Sequence, residues 1–156
     1  MLFRSQDGRT LAIHSGGSVL LWDPRTGTPI RTLRPEAGLF RLSPDLLTIA
    51  IASGNDARIL DARTGKLKFM LTGHRNALRA MAYSADNRTL ATTSEDGTAR
   101  LWDLRSGKLI KTLAVGAAVM YPRFSEDGRR FVSTSGEVVE VRSEEHTSEL
   151  QSQFRI

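Results

Sequence analysis

Residues 73–103 read "GHRNALRAMAYSADNRTLATTSEDGTARLWD", and the reading of this stretch decides the fold. "ALRAMAY" alternates in the two-residue period of a half-buried strand. "SADN" is turn chemistry, with side chains that bond their own backbone. "TLATTS" alternates again, "EDG" closes a tight hairpin, and "TARLW" forms a third strand. Just beyond, "DLRSG" turns and "KLIKTL" supplies a fourth strand. Four short strands separated by Gly, Asp, Asn and Ser leave no room for a helix.

The pattern recurs along the chain. "SQDGRTLAIHS" from Ser5, "SPDLLTIAIAS" from Ser43, "SADNRTLATTS" from Ser84 and "SEDGRRFVSTS" from Ser125 superpose, with leading serines 38, 41 and 41 residues apart. "VLLWDPRTGTPIRTL", "ARILDARTGKLKFML" and "ARLWDLRSGKLIKTL" follow the first three, and the fourth begins the same motif with "VVEV". A single small sheet cannot bury both faces, so neighbouring units must stack. The spacing predicts strands at 10–15, 18–22, 28–33, 38–42, 47–52, 56–60, 66–71, 77–83, 89–94, 98–102, 108–113, 118–124, 130–134 and 138–141. The opening strand ahead of Ser5, which the repeat calls for, is suspect and is left out of this series. Arg4 stands where Leu42, Tyr83 and Phe124 fill an apolar slot.

These residues resemble the WD40-repeat family. The resemblance rests on Gly73–His74, on "LWD" at 101–103 and 21–23, on their spacing, and on the recurring S-x-D turns. Leu60 departs from it, standing where the second unit calls for Trp. The resemblance implies an all-β, incomplete β-propeller of about four blades, each of four antiparallel strands. The expected blades are about 1–35, 36–73, 74–115 and 116–141, the last without its outer strand. Residues 142–156 match nothing upstream. Their first eleven, "RSEEHTSELQS", resemble the translation of a common sequencing-library adapter, so this tail is expected to be non-native and is set aside.

Composition bounds the function. The chain has 156 residues, is 40% hydrophobic and 25% charged, and has no cysteine, which excludes disulfides and thiolate metal sites. No apolar run approaches a membrane span and no signal core is seen, so a cytoplasmic location is favoured. The formal charge is +5, but basic residues such as Arg9, Arg25, Arg41, Arg58, Arg79, Arg100 and Arg123 are dispersed. Dispersion argues against nucleic acid as a partner, because such footprints concentrate charge on one face.

His74, Asp96 and a hydroxyl at Thr92 or Ser94 have the composition of a nucleophile triad. The family resemblance instead implies that they join Trp102 in a structural tetrad. Trp22, Asp23, Asp61 and Asp103 mark the repeat, and each Asp opens a D-x-R-[TS]-G turn. An Asp capping turn amides, with Gly at a positive φ, explains that spacing better than three catalytic carboxylates at one period. "HSGGS" at 14–18 reads as a hairpin, because a phosphate loop would lead into a helix. The pairs Glu95–Asp96 and Glu126–Asp127 offer too few oxygens for calcium. His14 reads as an ordinary strand residue.

No catalytic, metal or cofactor signature emerges, so the expected function is a non-catalytic scaffold for other proteins or peptides. Glu36, Asn55, Arg75, Asn76 and Glu95 are the candidate contacts in the loops. The alternative is the propeller portion of a larger enzyme or signalling protein, such as a kinase, protease or NTPase fusion. A propeller that is itself a hydrolase or dehydrogenase would call for axial His or acidic ligands recurring across blades. Unpaired strand edges are further expected to favour self-association.

Overall fold

The computed structural model describes residues 2–5, 7–15, 17–34, 39–115, 122–127, 130–132 and 138–140. Glu36 and the tail 142–156 lie outside the described residues, as does the side chain of His14. The described residues contain no helix and form four antiparallel sheets in the order of the chain.

The first sheet comprises β1 (Leu2–Arg4), β2 (Leu11–Ser15), β3 (Ser18–Asp23) and β4 (Thr28–Leu33). The second comprises β5 (Phe40–Leu42), β6 (Thr48–Ser53), β7 (Asp56–Asp61) and β8 (Leu67–Leu71). The third comprises β9 (Leu78–Tyr83), β10 (Thr89–Ser94), β11 (Thr98–Asp103) and β12 (Leu109–Ala114). The fourth has three described strands, β13 (Arg123–Phe124), β14 (Arg130–Val132) and β15 (Val138–Glu140). Within each sheet every strand pairs with the next in sequence, as in the meandering blades of a β-propeller.

Two turns recur because the same residues recur. In the S-x-D turns, Ser5, Ser43, Ser84 and Ser125 donate their hydroxyls to Asp7, Asp45, Asp86 and Asp127 at 2.5–2.6 Å. Each of these serine Oγ atoms also accepts the amide five residues on, at 2.9 Å. In the D-x-R turns, Asp23, Asp61 and Asp103 accept amides of Arg25, Thr64 and Arg105 at 2.7–2.8 Å. Gly27, Gly65 and Gly107 close those turns at φ of 67–70°, a conformation that costs other residues about 1–2 kcal/mol. A β-bulge also recurs where the third strand of each full sheet meets the fourth.

The sheets stack through period-two faces of unequal bulk. Ile49, Ile51 and Leu60 of the second sheet meet Ala12, Val19 and Leu21 of the first. Ala50, Ala52, Ala57 and Ile59, on the opposite face, meet Met81, Leu90 and Trp102 of the third. Ala91, Ala99 and Leu101 then receive Phe131 of the fourth. Bulky side chains of one blade thus enter the face of the blade before it where alanines leave room, as large-against-small packing requires.

The opening strand β1 is a difference from the sequence reading. It pairs with β2 in full register, Leu2 to Ile13 and Arg4 to Leu11. Leu42, Tyr83 and Phe124 pack against the three apolar clusters, whereas Arg4 is exposed. The slot does not demand an apolar residue here, because among the described residues nothing covers this face of the first sheet. Ile13 is 38% exposed, while Ile51 at the same repeat position is 9% exposed.

Candidate functional site

Three interactions join His74, Thr92, Asp96 and Trp102 into one directed chain. His74 sits in the loop between β8 and β9, Thr92 on β10, Asp96 in the β10–β11 hairpin, and Trp102 on β11. Asp96 Oδ2 is 2.9 Å from His74 Nδ1, so that nitrogen carries the proton and donates it. His74 Nε2 therefore accepts from the Thr92 hydroxyl at 2.8 Å. Thr92 Oγ1 in turn accepts from Trp102 Nε1–H at 2.9 Å. Every group in the chain is buried or nearly so, and every donor has an acceptor.

Asp96 receives more than His74. Its Oδ2 also accepts the Arg75 amide at 2.9 Å, and its Oδ1 accepts the Thr98 amide and hydroxyl at 2.9 and 2.6 Å. Burial pushes the Asp96 carboxyl up, but the Thr98 hydroxyl, the Arg75 amide and His74 outweigh it and hold the group well below the ordinary range. Burial likewise pushes His74 below the usual imidazole range, against the opposing pull of Asp96. Protonating Nε2 would also face it with a hydroxyl hydrogen, which favours the neutral ring.

Ser94 takes a different partner from Thr92. Its hydroxyl donates to the Asn76 carbonyl at 2.7 Å and accepts the Asp96 amide at 3.1 Å. The register shifts there, Thr93 pairing with Ala80 and Ser94 with Leu78, so that Arg79 of β9 is the extra residue of a bulge. Thr98, which sequence reasoning missed, touches both Asp96 and His74 Nδ1, the latter at 3.3 Å. The signal available for it was the hydroxyl two residues after a hairpin Asp, the spacing of an Asx-turn.

Chemically the cluster is closed. The Thr92 hydroxyl is 1% exposed and is engaged by both His74 and Trp102, so it presents no nucleophile to a substrate. Among the described residues no three of His, Cys, Asp and Glu come together as a metal site. Nor is any described helix long and apolar enough to cross a membrane.

The remaining candidates gather at one end of the strands. The Ala77 carbonyl accepts the Glu95 amide at 3.0 Å, and the neighbouring Leu78 amide donates to Gly54 O at 3.1 Å. These bonds hold the hairpins of the second and third sheets on either side of the loop that carries His74, Arg75 and Asn76. Asn55, Arg75, Asn76 and Glu95 are all exposed there. Glu95 forms an ion pair with Arg79, while Arg75 joins none of the ion pairs among the described residues. Trp22 of the first sheet is half-buried, unlike Trp102, and among the described residues it has no hydrogen bond corresponding to that of Trp102.

Comparison with known proteins places these features in a lineage. The family "WD domain, G-beta repeat" matches residues 65–103, a span that holds His74, Thr92, Asp96 and Trp102. The Target of rapamycin complex subunit wat1 of Schizosaccharomyces pombe is 32% identical over 94 residues, 57% of this chain and 30% of that protein. Periodic tryptophan protein 2 of Arabidopsis thaliana is 35% identical over 102 residues, 62% of this chain and 11% of that protein. The DENN domain and WD repeat-containing protein SCD1 of Arabidopsis thaliana is 36% identical over 113 residues, 70% of this chain and 9% of that protein. The chain thus spans less than a third of the length of each. With its four repeated sheets and this match, the chain belongs to the WD40-repeat family.

Proposed function

We propose that this chain is a non-catalytic scaffold that binds other proteins or peptides through the loop end bearing Asn55, Arg75, Asn76 and Glu95. The observation that carries the reading is the contrast between frame and loops. The loops are tied to the sheets by backbone hydrogen bonds, yet their side chains stand exposed. A rigid frame with exposed loop side chains suits recognition, because little order is lost when a partner docks. The His74 chain serves this reading as a brace that fixes the loop from below. Relatives whose names make them complex subunits, such as wat1, support the same class of role.

The test is a photo-crosslinking residue placed at Asn55 or Arg75 of the full-length protein, with Arg25 on the opposite end as control. A discrete partner crosslinked from the loop positions and absent from position 25 supports the scaffold. Equal or no crosslinking from both ends overturns it. A second reading, in which the propeller is one portion of a larger multidomain protein, is supported by SCD1, whose name joins a DENN domain to WD repeats.

A further inference from the structure

The inner strands β1, β5, β9 and β13 line one cavity of about 990 Å³. It reaches the end that carries the S-x-D turns, since Ser43, Pro44, Ala85 and Ser125 form part of its wall. That end is opposite the loops of the proposed scaffold face, so the two sites share no residue.

The wall combines two chemistries. Arg4, Arg41 and Arg123 are all among the lining residues, and Glu126 is the one carboxylate there. All three arginines are exposed, and none belongs to the ion pairs among the described residues. Arg41 Nη1 donates to the Phe40 carbonyl at 2.8 Å, which holds its head group at the wall. Between the cations lie apolar side chains, including Phe40, Met81 and Phe124. The volume falls at the upper end of ordinary ligand pockets, which run to about 1,000 Å³.

We infer that this cavity docks an acidic peptide segment, with one apolar side chain inserted among the phenylalanines and flanking carboxylates on the arginines. Each guanidinium offers a carboxylate two parallel donors, and a partly enclosed apolar wall strengthens such bonds. A nucleic acid fits less well. It carries a charge at every residue and calls for a continuous basic groove, whereas this wall interrupts three cations with apolar surface.

The test uses the full chain and a fluorescent short peptide in which Glu residues flank a single Phe, read by anisotropy. Saturable, salt-sensitive binding is expected, weakened about tenfold by Arg41→Gln with Arg123→Gln and changed less than about twofold by Arg25→Gln with Arg63→Gln. A peptide with Ser in place of Phe should bind more weakly. Equal losses in the two arginine pairs, or equal binding of an oligonucleotide of the same charge, would overturn the inference. A second measurement needs no variant. The peptide should shield Arg41 and Arg123 of the wild-type chain from phenylglyoxal while Arg25 and Arg63 react, and uniform reaction at all four refutes the site.

Discussion

The second and third sheets share strand order, S-x-D turn, bulge and Asp–Gly turn, yet they fill the same interior positions with opposite chemistry. Where the third has Thr92 and Trp102 in a hydrogen-bonded chain, the second has Ile51 and Leu60 in plain apolar contact. The hairpin of the second closes in two residues between Ser53 and Asp56, so it has no place for a carboxylate like Asp96. The frame therefore does not need the polar chain in order to form. What the chain adds is reach, because it extends from β11 through β10 to the loop at His74 and Arg75, beyond the range of packing alone. Such a network contributes little net stability when complete and costs much when one member is missing.

The largest effects should come from removing the two central side chains. Trp102→Ala is expected to destabilise by about 3–5 kcal/mol, and Leu60→Ala by about 2–3. Trp102 is buried against Met81 and Leu90, and its loss also leaves the Thr92 hydroxyl without its donor. Trp22→Ala should cost least of the three, roughly 1–2 kcal/mol, because a half-buried ring has less to lose. Chemical denaturation gives the ordering, and equal costs at Trp22 and Trp102 would break the comparison.

Next come the loop-side members. His74→Ala and Asp96→Ala should each cost about 1–3 kcal/mol, and the double variant less than their sum, because either loss already breaks the shared bond. Additive costs would show that the chain does not act as a unit. The same pair predicts a pH dependence absent from the second sheet. Burial keeps native His74 below its ordinary value of 6.5. As pH falls through that value the unfolded chain takes up a proton that the native chain does not, so stability is present above it and declines below. Asp96 is held below 3.8, so its share persists until pH falls under that value. His74→Gln should flatten the slope between pH 7 and the acid range, measured as melting temperature against pH.

Much of this was legible in the sequence, and the failures have physical causes. The S-x-D and D-x-R turns could be read because each side chain acts on its own backbone, within five residues. Thr92 and Ser94 could not be told apart by periodicity, since residues two apart on a strand share a face. What separates them is the partner each hydroxyl meets, His74 for Thr92 and the Asn76 carbonyl for Ser94, and both lie 18 residues away in sequence. The opening strand was held suspect because Arg4 was judged against a covered slot, and in the first sheet the slot is open. The cavity arginines lie 37 and 82 residues apart in sequence, and strand stacking alone brings positions 4, 41 and 123 to one wall.

Smaller effects test how each blade leans on the one before it. A Cβ on Gly107 would lie 2.5 Å from Phe69 Cδ1 of the second sheet, and one on Gly65 would lie 2.6 Å from Arg31 Nη2 of the first. Gly27, at the matching position in the first sheet, has nothing within 4 Å of such an atom. Gly27→Ala therefore carries only the cost of its positive φ, about 1 kcal/mol. Gly107→Ala adds displacement of a half-buried ring and should reach about 2 kcal/mol. Equal values for the two would mean that the ring moves aside freely.

The smallest effect belongs to the ion pair of Arg79 and Glu95, and here the contrast with the buried network is sharpest. In both, a carboxylate accepts from a nitrogen near the loop end of the third sheet. Asp96 and His74 are almost wholly buried, whereas the side chains of Arg79 and Glu95 are 57% and 34% exposed. Water screens an exposed pair and solvates either partner once the other is gone, so no orphaned charge is created. Glu95→Gln should therefore change stability by less than about 0.5 kcal/mol, and added salt should erase the difference. It also frees the Arg79 guanidinium and removes a negative charge, making the loop end more basic. If that end is the recognition face, Glu95→Gln should shift partner affinity while leaving the denaturation midpoint in place. A fall in stability like that of Asp96→Ala would instead make Glu95 part of the brace and remove it from the candidate contacts.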